Sequence, residues 1–355
     1  MVEFVHSFLQ GITQKGAARR KSIDPVAADR FARTLDDYGF DYTLLGYSSD
    51  GIDPFGVASR VLARTSRLKT VVALRPNIAH PTVAAQALAT LDQLGGGRTI
   101  VHIISGGSDA EQRRQGDYLD KAERYARSAE YIQLLRRIWT AEEPISHQGE
   151  FYRFEDFGPG SQPLSGGPLP ISIGGASAEA IDAGARYADI FTLWGEPLRE
   201  TAEQIERVRT RAKEVGRDPG EIRFWVTFRP VIAATEELAW AKAERLVAGV
   251  EGRQWAASGE QRTNVGSVRL QEIAAASERH DRNLWIPRGI AGAGGASSLL
   301  VGTPDTITDS LLDYVALGAD IISLPSVGDL DATIDTGRYL LPAVRQRLAS
   351  LVPGT

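Results

Sequence analysis

The chain has 355 residues, of which 43% are hydrophobic and 24% charged, and its formal net charge is −5. That length is great for one ordinary domain but normal for an eight-fold β/α barrel with insertions, and it can bury a large core. A mildly acidic balance without a basic stripe argues against nucleic acid or anionic lipid as partner. The lack of cysteine excludes disulfides, thiolate metal sites and a cysteine nucleophile. The N-terminus has no basic segment followed by a long apolar run. No window holds the ~18 apolar residues that span a bilayer. The expectation is a cytoplasmic protein that meets neither membrane nor nucleic acid.

Residues 2–9, rich in aromatic and β-branched side chains, predict strand one. Residues 12–22 are polar and basic and predict a loop. Asp24-Pro25 opens a helix to about residue 38, because Asp caps and Pro fits the first turn; Gly39 ends it. Strand two follows at 41–45, a helix at 54–63, strand three at 68–74, a helix at 81–94 and strand four at 99–104. Residues 106–116 form a polar loop. Apolar or small side chains at helical spacing predict a long helix over 119–139. Alternation around Gln148-Gly149-Glu150 predicts a hairpin over 145–154. Strand five is expected at 171–173, a helix at 178–187, strand six at 189–193, a helix at 197–215, strand seven at 222–229 and a helix at 236–250. Residues 251–298 are irregular and too long for a purposeless loop, so they read as an insertion over the mouth. A Thr303-capped helix at 304–316, strand eight at 320–324 and a final helix at 330–351 complete the chain.

Eight strands alternating with helices predict a parallel α/β architecture. No GxGxxG turn follows the first strand, which disfavours a dinucleotide fold. In parallel βα units the chemistry sits at the carboxyl ends of the strands. Four such exits stand out: Arg75-Pro76-Asn77, Ser105-Gly106-Gly107, Gly174-Gly175-Ala176-Ser177 and Trp194-Gly195-Glu196.

Gly175, Ala176 and Ser177 open a helix. Their backbone N–H groups and the helix N-terminus suit a phosphate, although an ordinary turn with Ser177 as cap has the same sequence. Ser105, Gly106 and the Tyr125 hydroxyl are neutral donors for the same purpose, while Tyr125 alone also reads as a core aromatic. Arg75 ends an apolar strand, as a mouth residue or a surface one. Trp194 can stack on a flat ring or pack beneath a loop. Arg229 and Arg288 can bind an anion together or lie on the surface. His6 can face the barrel interior as a catalyst or sit in the core. The five histidines show no paired spacing for a metal, and no GxSxG elbow or Walker loop appears.

Five ordered blocks, from VVALRPNIAHPTVAAQALATLDQLGGGRTIVHIISGG through LDKAERYARSAEYIQLLRRIWT, ISIGGASAEAIDAGARYADIFTLWGEP and RNLW to LLVGTPDTITDSLLDYVALGAD, resemble the bacterial-luciferase-like flavin monooxygenases. The alkanesulfonate monooxygenase branch is the nearest in pattern. The resemblance runs from about residue 24 to 344. It implies a (β/α)8 TIM barrel with insertions, reduced FMN delivered by a separate NAD(P)H:flavin reductase, and oxygenation of a small substrate by O2 through a flavin peroxide. It maps phosphate contacts onto Ser105, Gly106, Tyr125, Gly175, Ala176 and Ser177, and barrel-floor positions onto Arg75 and Trp194. It implies a homodimer or homotetramer.

The resemblance departs where the sulfonate enzymes meet substrate. Gly51, Thr227, Arg229, Val327 and Asp329 stand at their functional positions, and their insertion-loop arginine falls near residues 292–293, with Arg288 as a shifted substitute. The substrate is then a small organic molecule, an organosulfur compound being one candidate. Residues 251–298 are expected to be a lid over a single barrel domain spanning 1–355. The alternatives are a deazaflavin (F420)-dependent oxidoreductase and a non-catalytic flavin-binding relative on the same barrel.

Overall fold

A computed structural model describes residues 2–8, 13–15, 21–158, 160–254, 264–292, 297–326 and 330–351. Eight parallel strands close into a barrel: Glu3–Ser7, Tyr42–Leu45, Lys69–Leu74, Thr99–Ile103, Ile171–Gly174, Ile190–Trp194, Arg223–Thr227 and Ala319–Ser323, numbered one to eight. Strand eight returns to pair with strand one, Glu3 opposite Ile321, which closes the ring. The expected (β/α)8 architecture is therefore the one observed.

The strands are apolar on both faces because each lies between two buried layers. Val5, Tyr42, Val71, Ile100, Ile190 and Trp225 fill the interior with Ile321. Phe4, Phe8, Leu45, Val72 and Leu74 point the other way into the layer shared with the helices. Four helices start on a capping side chain followed at once by proline: Asp24 before Pro25–Asp37, Asp53 before Pro54–Arg64, His80 before Pro81–Gly95 and Thr303 before Pro304–Ala316. The cap satisfies an orphan N–H, and proline gives up a donor that would have no partner there.

Several elements differ from the sequence reading, among them a short hairpin of Thr13–Lys15 with Lys21–Ile23 where a loop was expected. Strand seven ends at Thr227, and Arg229–Ile232 starts a separate four-stranded sheet with Leu299–Gly302, Leu284–Trp285 and Arg279–His280. The insertion, read as irregular, contains the helix Val265–Ala276, capped by Asn264. Its residues 255–263 and 293–296 lie outside the described residues, as do Val327 and Asp329. The final helix is split into Leu330–Asp335, a π-turn over Thr336–Leu340 and Leu341–Leu351. Gly337 and Pro342 sit at that break, the first loosening the backbone and the second lacking an N–H.

The two ends of the barrel differ in chemistry. At the amino end of the strands, Glu3 accepts from the Tyr42 hydroxyl at 2.8 Å, lies 3.5 Å from Lys69 Nζ and pairs with Arg223. Burial pushes the Glu3 carboxyl up, but Arg223, Tyr42 and Lys69 together hold it below the usual range. This end, beside a cavity of about 730 Å³, is tied by charge pairs. It reads as the stability face of the barrel.

Asp36 locks the first helix to the start of strand three. Its carboxylate accepts from the backbone N–H of Ser66 at 2.8 Å, Arg67 at 3.0 Å and Leu68 at 2.7 Å. Burial raises its pKa, and these bonds outweigh that and lower it. A lowered folded-state pKa means stability that is present above the unfolded value near ~3.9 and lost as acid protonates the group. Asp36→Ala is expected to destabilise by about 2–3 kcal/mol at neutral pH, from three N–H groups left without acceptors. Thermal unfolding across pH checks this: the gap to wild type should shrink below about pH 4. A gap constant down to pH 3 would contradict it.

Candidate functional site at the carboxyl end of the barrel

The exits of strands four and five face the helix Lys121–Thr140. Ser105, just past strand four, shares a hydrogen bond of 2.9 Å with Ser128. Its carbonyl accepts from Arg124 Nε at 3.0 Å, and the buried Arg124 also donates to Leu119 O and Asp109. That guanidinium fixes the Ser105 turn, and the sequence reading did not single it out. Burial raises the pKa of Tyr125, one residue on, and the Ser177 hydroxyl beside it lowers it, with the net shift upward. A Cβ on Gly175 would come 3.1 Å from the Tyr125 hydroxyl, so the strand-five exit approaches this helix closely.

Ser177 caps Ala178–Tyr187 by accepting from Ala180 N–H. Ser105, Gly106, Tyr125, Gly175, Ala176 and Ser177 therefore gather where strands four and five end. Two charges join them that the sequence reading missed. Lys121 lies 3.0 Å from Glu179, whose carboxyl falls to about 2, chiefly through the nearby Lys121 ammonium and Ser177 hydroxyl. The signal was present in the paired turns: both residues sit in the first turn of the two helices that meet there.

Arg75, at the exit of strand three, is 3% exposed. Its Nη2 donates to Glu111 at 2.8 Å, and its guanidinium carbon lies 5.0 Å from the centre of the Tyr47 ring. Glu111 also accepts from Ser49 N–H at 2.9 Å. Both carboxylate contacts come from the short helix Asp109–Arg113, within what the sequence reading took as a plain polar loop. Beneath, inside the barrel, His102 Nδ1 lies 3.0 Å from Ser172 Oγ, and burial pushes its pKa down to about 4, so the imidazole is neutral at pH 7.

Trp194, at the end of strand six, lies against the insertion. A Cβ on Gly266 would come 2.8 Å from Trp194 Cζ3, so only glycine allows this seating. Glu196, 4% exposed, takes two bonds from Arg269 at 3.0 and 2.7 Å. The helix Val265–Ala276 is thus anchored to the strand-six exit by a ring and an ion pair.

The other expected residues belong to the strand-seven exit, the insertion and strand one. Arg229 begins the second sheet, is 7% exposed, and donates from Nη1 to Pro325 O at 3.2 Å. Burial lowers its pKa to about 10, which leaves it charged at neutral pH. Arg288 is exposed and donates to Ala274 O at 3.0 Å and Ala275 O at 3.1 Å. It caps the carboxyl end of Val265–Ala276, a favoured place for a cation, and the structure does not bring it together with Arg229.

His6 points out of the barrel, between Phe31 and Phe40, because strand one alternates and Val5 takes the interior. Its Nδ1 donates to Ser7 O at 2.8 Å and its Nε2 accepts from Ser326 N–H at 3.1 Å. The expected interior face is thereby corrected. Among the described residues no group of three or more His, Asp or Glu side chains is placed to hold a metal ion, and no helix is long and apolar enough to cross a membrane.

Burial, above all, pushes His6 down to about 3. Between about pH 6.5 and 3 the unfolded chain then binds the extra proton, so this group weakens the fold as pH falls through that window. NMR of the imidazole is expected to show no titration from pH 8 to 5. A transition near 6.5 would contradict the buried, neutral assignment.

A family model described as luciferase-like monooxygenase matches residues 3–320. Among solved structures, riboflavin lyase (RcaE), determined with modified FMN and the substrate riboflavin, shares 19% identity over 98% of this chain and 92% of its own, at a TM-score of 0.78. EDTA monooxygenase (EmoA) from Chelativorans sp. BNC1 shares 20% identity over 98% and 94%, at 0.78. An F420-dependent secondary alcohol dehydrogenase, in complex with an F420-acetone adduct, shares 14% over 97% and 99%, at 0.71.

Proposed function

The chain belongs to the luciferase-like monooxygenase family, and on that premise we propose that it is an FMN-dependent monooxygenase. In this reading it receives reduced FMN from a separate NAD(P)H:flavin reductase and uses O2 to oxygenate a small organic molecule. The observation that carries the reading is the donor set at the exits of strands four and five. Ser105, Tyr125 and Ser177 are neutral hydroxyls beside a helix N-terminus, where a phosphate gains hydrogen bonds and a favourable dipole. Lys121 offsets the Glu179 carboxylate there, so the cradle suits a phosphate monoester.

The bound flavin would supply the oxygen-activating redox chemistry. The chain's own residues bind, seal and polarise. Ser105, Tyr125 and Ser177 fix one end of the cofactor, and Arg75 and Trp194 flank the mouth across which its ring would lie. Arg229 supplies a desolvated positive charge, which stabilises negative charge developing nearby far more than it would in water. Water that reaches the reacting centre diverts oxidant into waste, so the site needs a cover. We assign that cover to the insertion within residues 251–298, with Val265–Ala276 held by Glu196 and Trp194. The whole chain then acts as one barrel with a lid.

A deazaflavin oxidoreductase is the second reading, favoured by the likeness to the F420-dependent dehydrogenase. Titrating the protein with FMN and with the deazaflavin, each followed by fluorescence, separates the two. FMN is expected to bind tighter, and with NADH and a flavin reductase the H2O2 released per NADH should fall below that of free reduced flavin once substrate is present, because one oxygen atom goes to substrate and the other to water. Tighter deazaflavin binding with no fall in H2O2 would overturn the monooxygenase reading. Arg229→Ala should keep FMN affinity within about threefold while lowering oxygenation about a hundredfold, the range seen when one transition-state charge partner is removed. Loss of FMN affinity alone would refute that role.

The lid is tested by limited proteolysis. Arg269→Ala leaves the Glu196 carboxylate buried without its partner, so cleavage within residues 251–298 should accelerate several-fold, and FMN should slow it in wild type. Equal cleavage in both proteins, with and without FMN, would contradict the lid.

A further inference from the structure

His6 is a buried polar group that the proposed chemistry leaves without a task. It stands on the outer side of strand one, edge-on between Phe31 and Phe40, at ring-centroid distances of 5.3 and 5.2 Å. A phenyl ring would pack there equally well. The imidazole is instead bonded at both nitrogens. Nδ1 donates to Ser7 O at 2.8 Å, which fixes the proton on that atom and makes Nε2 an acceptor. Nε2 accepts from Ser326 N–H at 3.1 Å, and the hydroxyls of Thr333 and Ser326 lie 3.3 and 3.4 Å from it.

Ser326 belongs to the exit of strand eight. The strand ends at Ser323, and Leu324 N–H still donates to Val5 O at 2.8 Å, so the chain leaves the ring beside strand one. Pro325 comes next, and its carbonyl accepts from Arg229 Nη1 at 3.2 Å. Two consecutive residues are thus held from two sides, Pro325 by the guanidinium and Ser326 by the imidazole. The strand-seven exit is tied to the same place, because Phe228 N–H donates to Ser323 O at 2.8 Å.

Electrostatics agrees with this arrangement. Burial above all, with the Arg229 charge besides, disfavours a second proton on His6. The neutral ring accepts from the backbone and adds no charge that would repel the guanidinium. A charge acts through its distance from the reacting atoms, and a misplacement of about 1 Å costs up to about a hundredfold in rate.

We propose that His6 is a positioning residue for Arg229: by holding the Ser326 N–H it fixes the strand-eight exit, whose Pro325 carbonyl sets where the Arg229 guanidinium stands. This rests on the role given to Arg229 in the flavin reading above. His6 faces away from the barrel interior, so it acts through two backbone residues and not on the cofactor itself.

The test is a double-mutant cycle read with FMN in its oxidised and reduced forms, both titrated under anaerobic conditions. Reduced FMN carries one more negative charge at neutral pH, so a well-placed Arg229 favours it. Wild-type protein is expected to bind reduced FMN at least about tenfold tighter than oxidised FMN, and Arg229→Ala should erase that preference. His6→Phe keeps the aromatic packing and removes the acceptor. It should cut the preference about fivefold, within the worth of one hydrogen bond, and hold oxidised-FMN affinity within about threefold of wild type. In the Arg229→Ala background the same change should have no further effect, because the group it positions is gone. His6→Gln, which returns an acceptor near the place of Nε2, should recover most of the preference. In the flavin-free protein, the Ser326 N–H should exchange with solvent at least about tenfold faster in His6→Phe than in wild type.

A preference unchanged by His6→Phe, or cut equally in both backgrounds, overturns this inference and leaves the flavin reading standing. Arg229→Ala with the preference intact overturns the role of Arg229 and this inference together. Failure of wild type to bind FMN in either form overturns the flavin reading as well. A Ser326 N–H that exchanges in wild type as fast as an exposed amide overturns the clamp even if no variant folds.

Discussion

A charged or amide side chain turned into a barrel end must find a partner, because burying it alone is costly. The two ends of this barrel meet that constraint differently. At the amino end, Glu3, Tyr42, Lys69 and Arg223 pair with one another. At the carboxyl end, Arg75 keeps one partner in Glu111, while two of its nitrogens, the Gln112 amide nitrogen and both Asn77 amide atoms have none among the described residues. The first arrangement closes the ring.

The rest of the mouth follows from where each strand lets go of its chain. Strand four releases a turn that Arg124 fixes from the following helix. Strand five releases the Ser177-capped helix. Strand six releases Trp194 and Glu196, which anchor Val265–Ala276. Strand seven releases Arg229 into a second sheet, so the insertion grows from the barrel wall through Arg229–Ile232 and Leu299–Gly302. Positioning and cover thus come from consecutive exits of one rigid ring.

Much of this was legible in the residues. The Asp-Pro and Thr-Pro starts announce helices because cap and proline solve the same orphan-donor problem. Doubly apolar strands alternating with helices announce the parallel sheet. The helix in the insertion escaped notice because VGSVRLQEIAAA carries small apolar residues on every side and no clear stripe. His6 was misplaced although Phe4 and Phe8 share its parity, a pattern that assigns it to the aromatic layer outside the ring. The pairing of Glu196 with Arg269 joins residues 73 apart and left no periodic trace. Glu111 looked like loop polarity because its partners, Arg75 and the Ser49 N–H, lie on other strand exits. A motif shows local chemistry, while a contact set assembled from three exits becomes visible only when the ring closes.

The account's central claim is that one ring of strand exits holds a flavin, with its phosphate tied down by neutral donors. The most direct measurement is a crystal structure of the protein soaked with FMN. The account expects the phosphate against Ser105, Tyr125 and Ser177, and the ring across the mouth between Arg75 and Trp194. Density for the phosphate or the ring anywhere else on the molecule would contradict it.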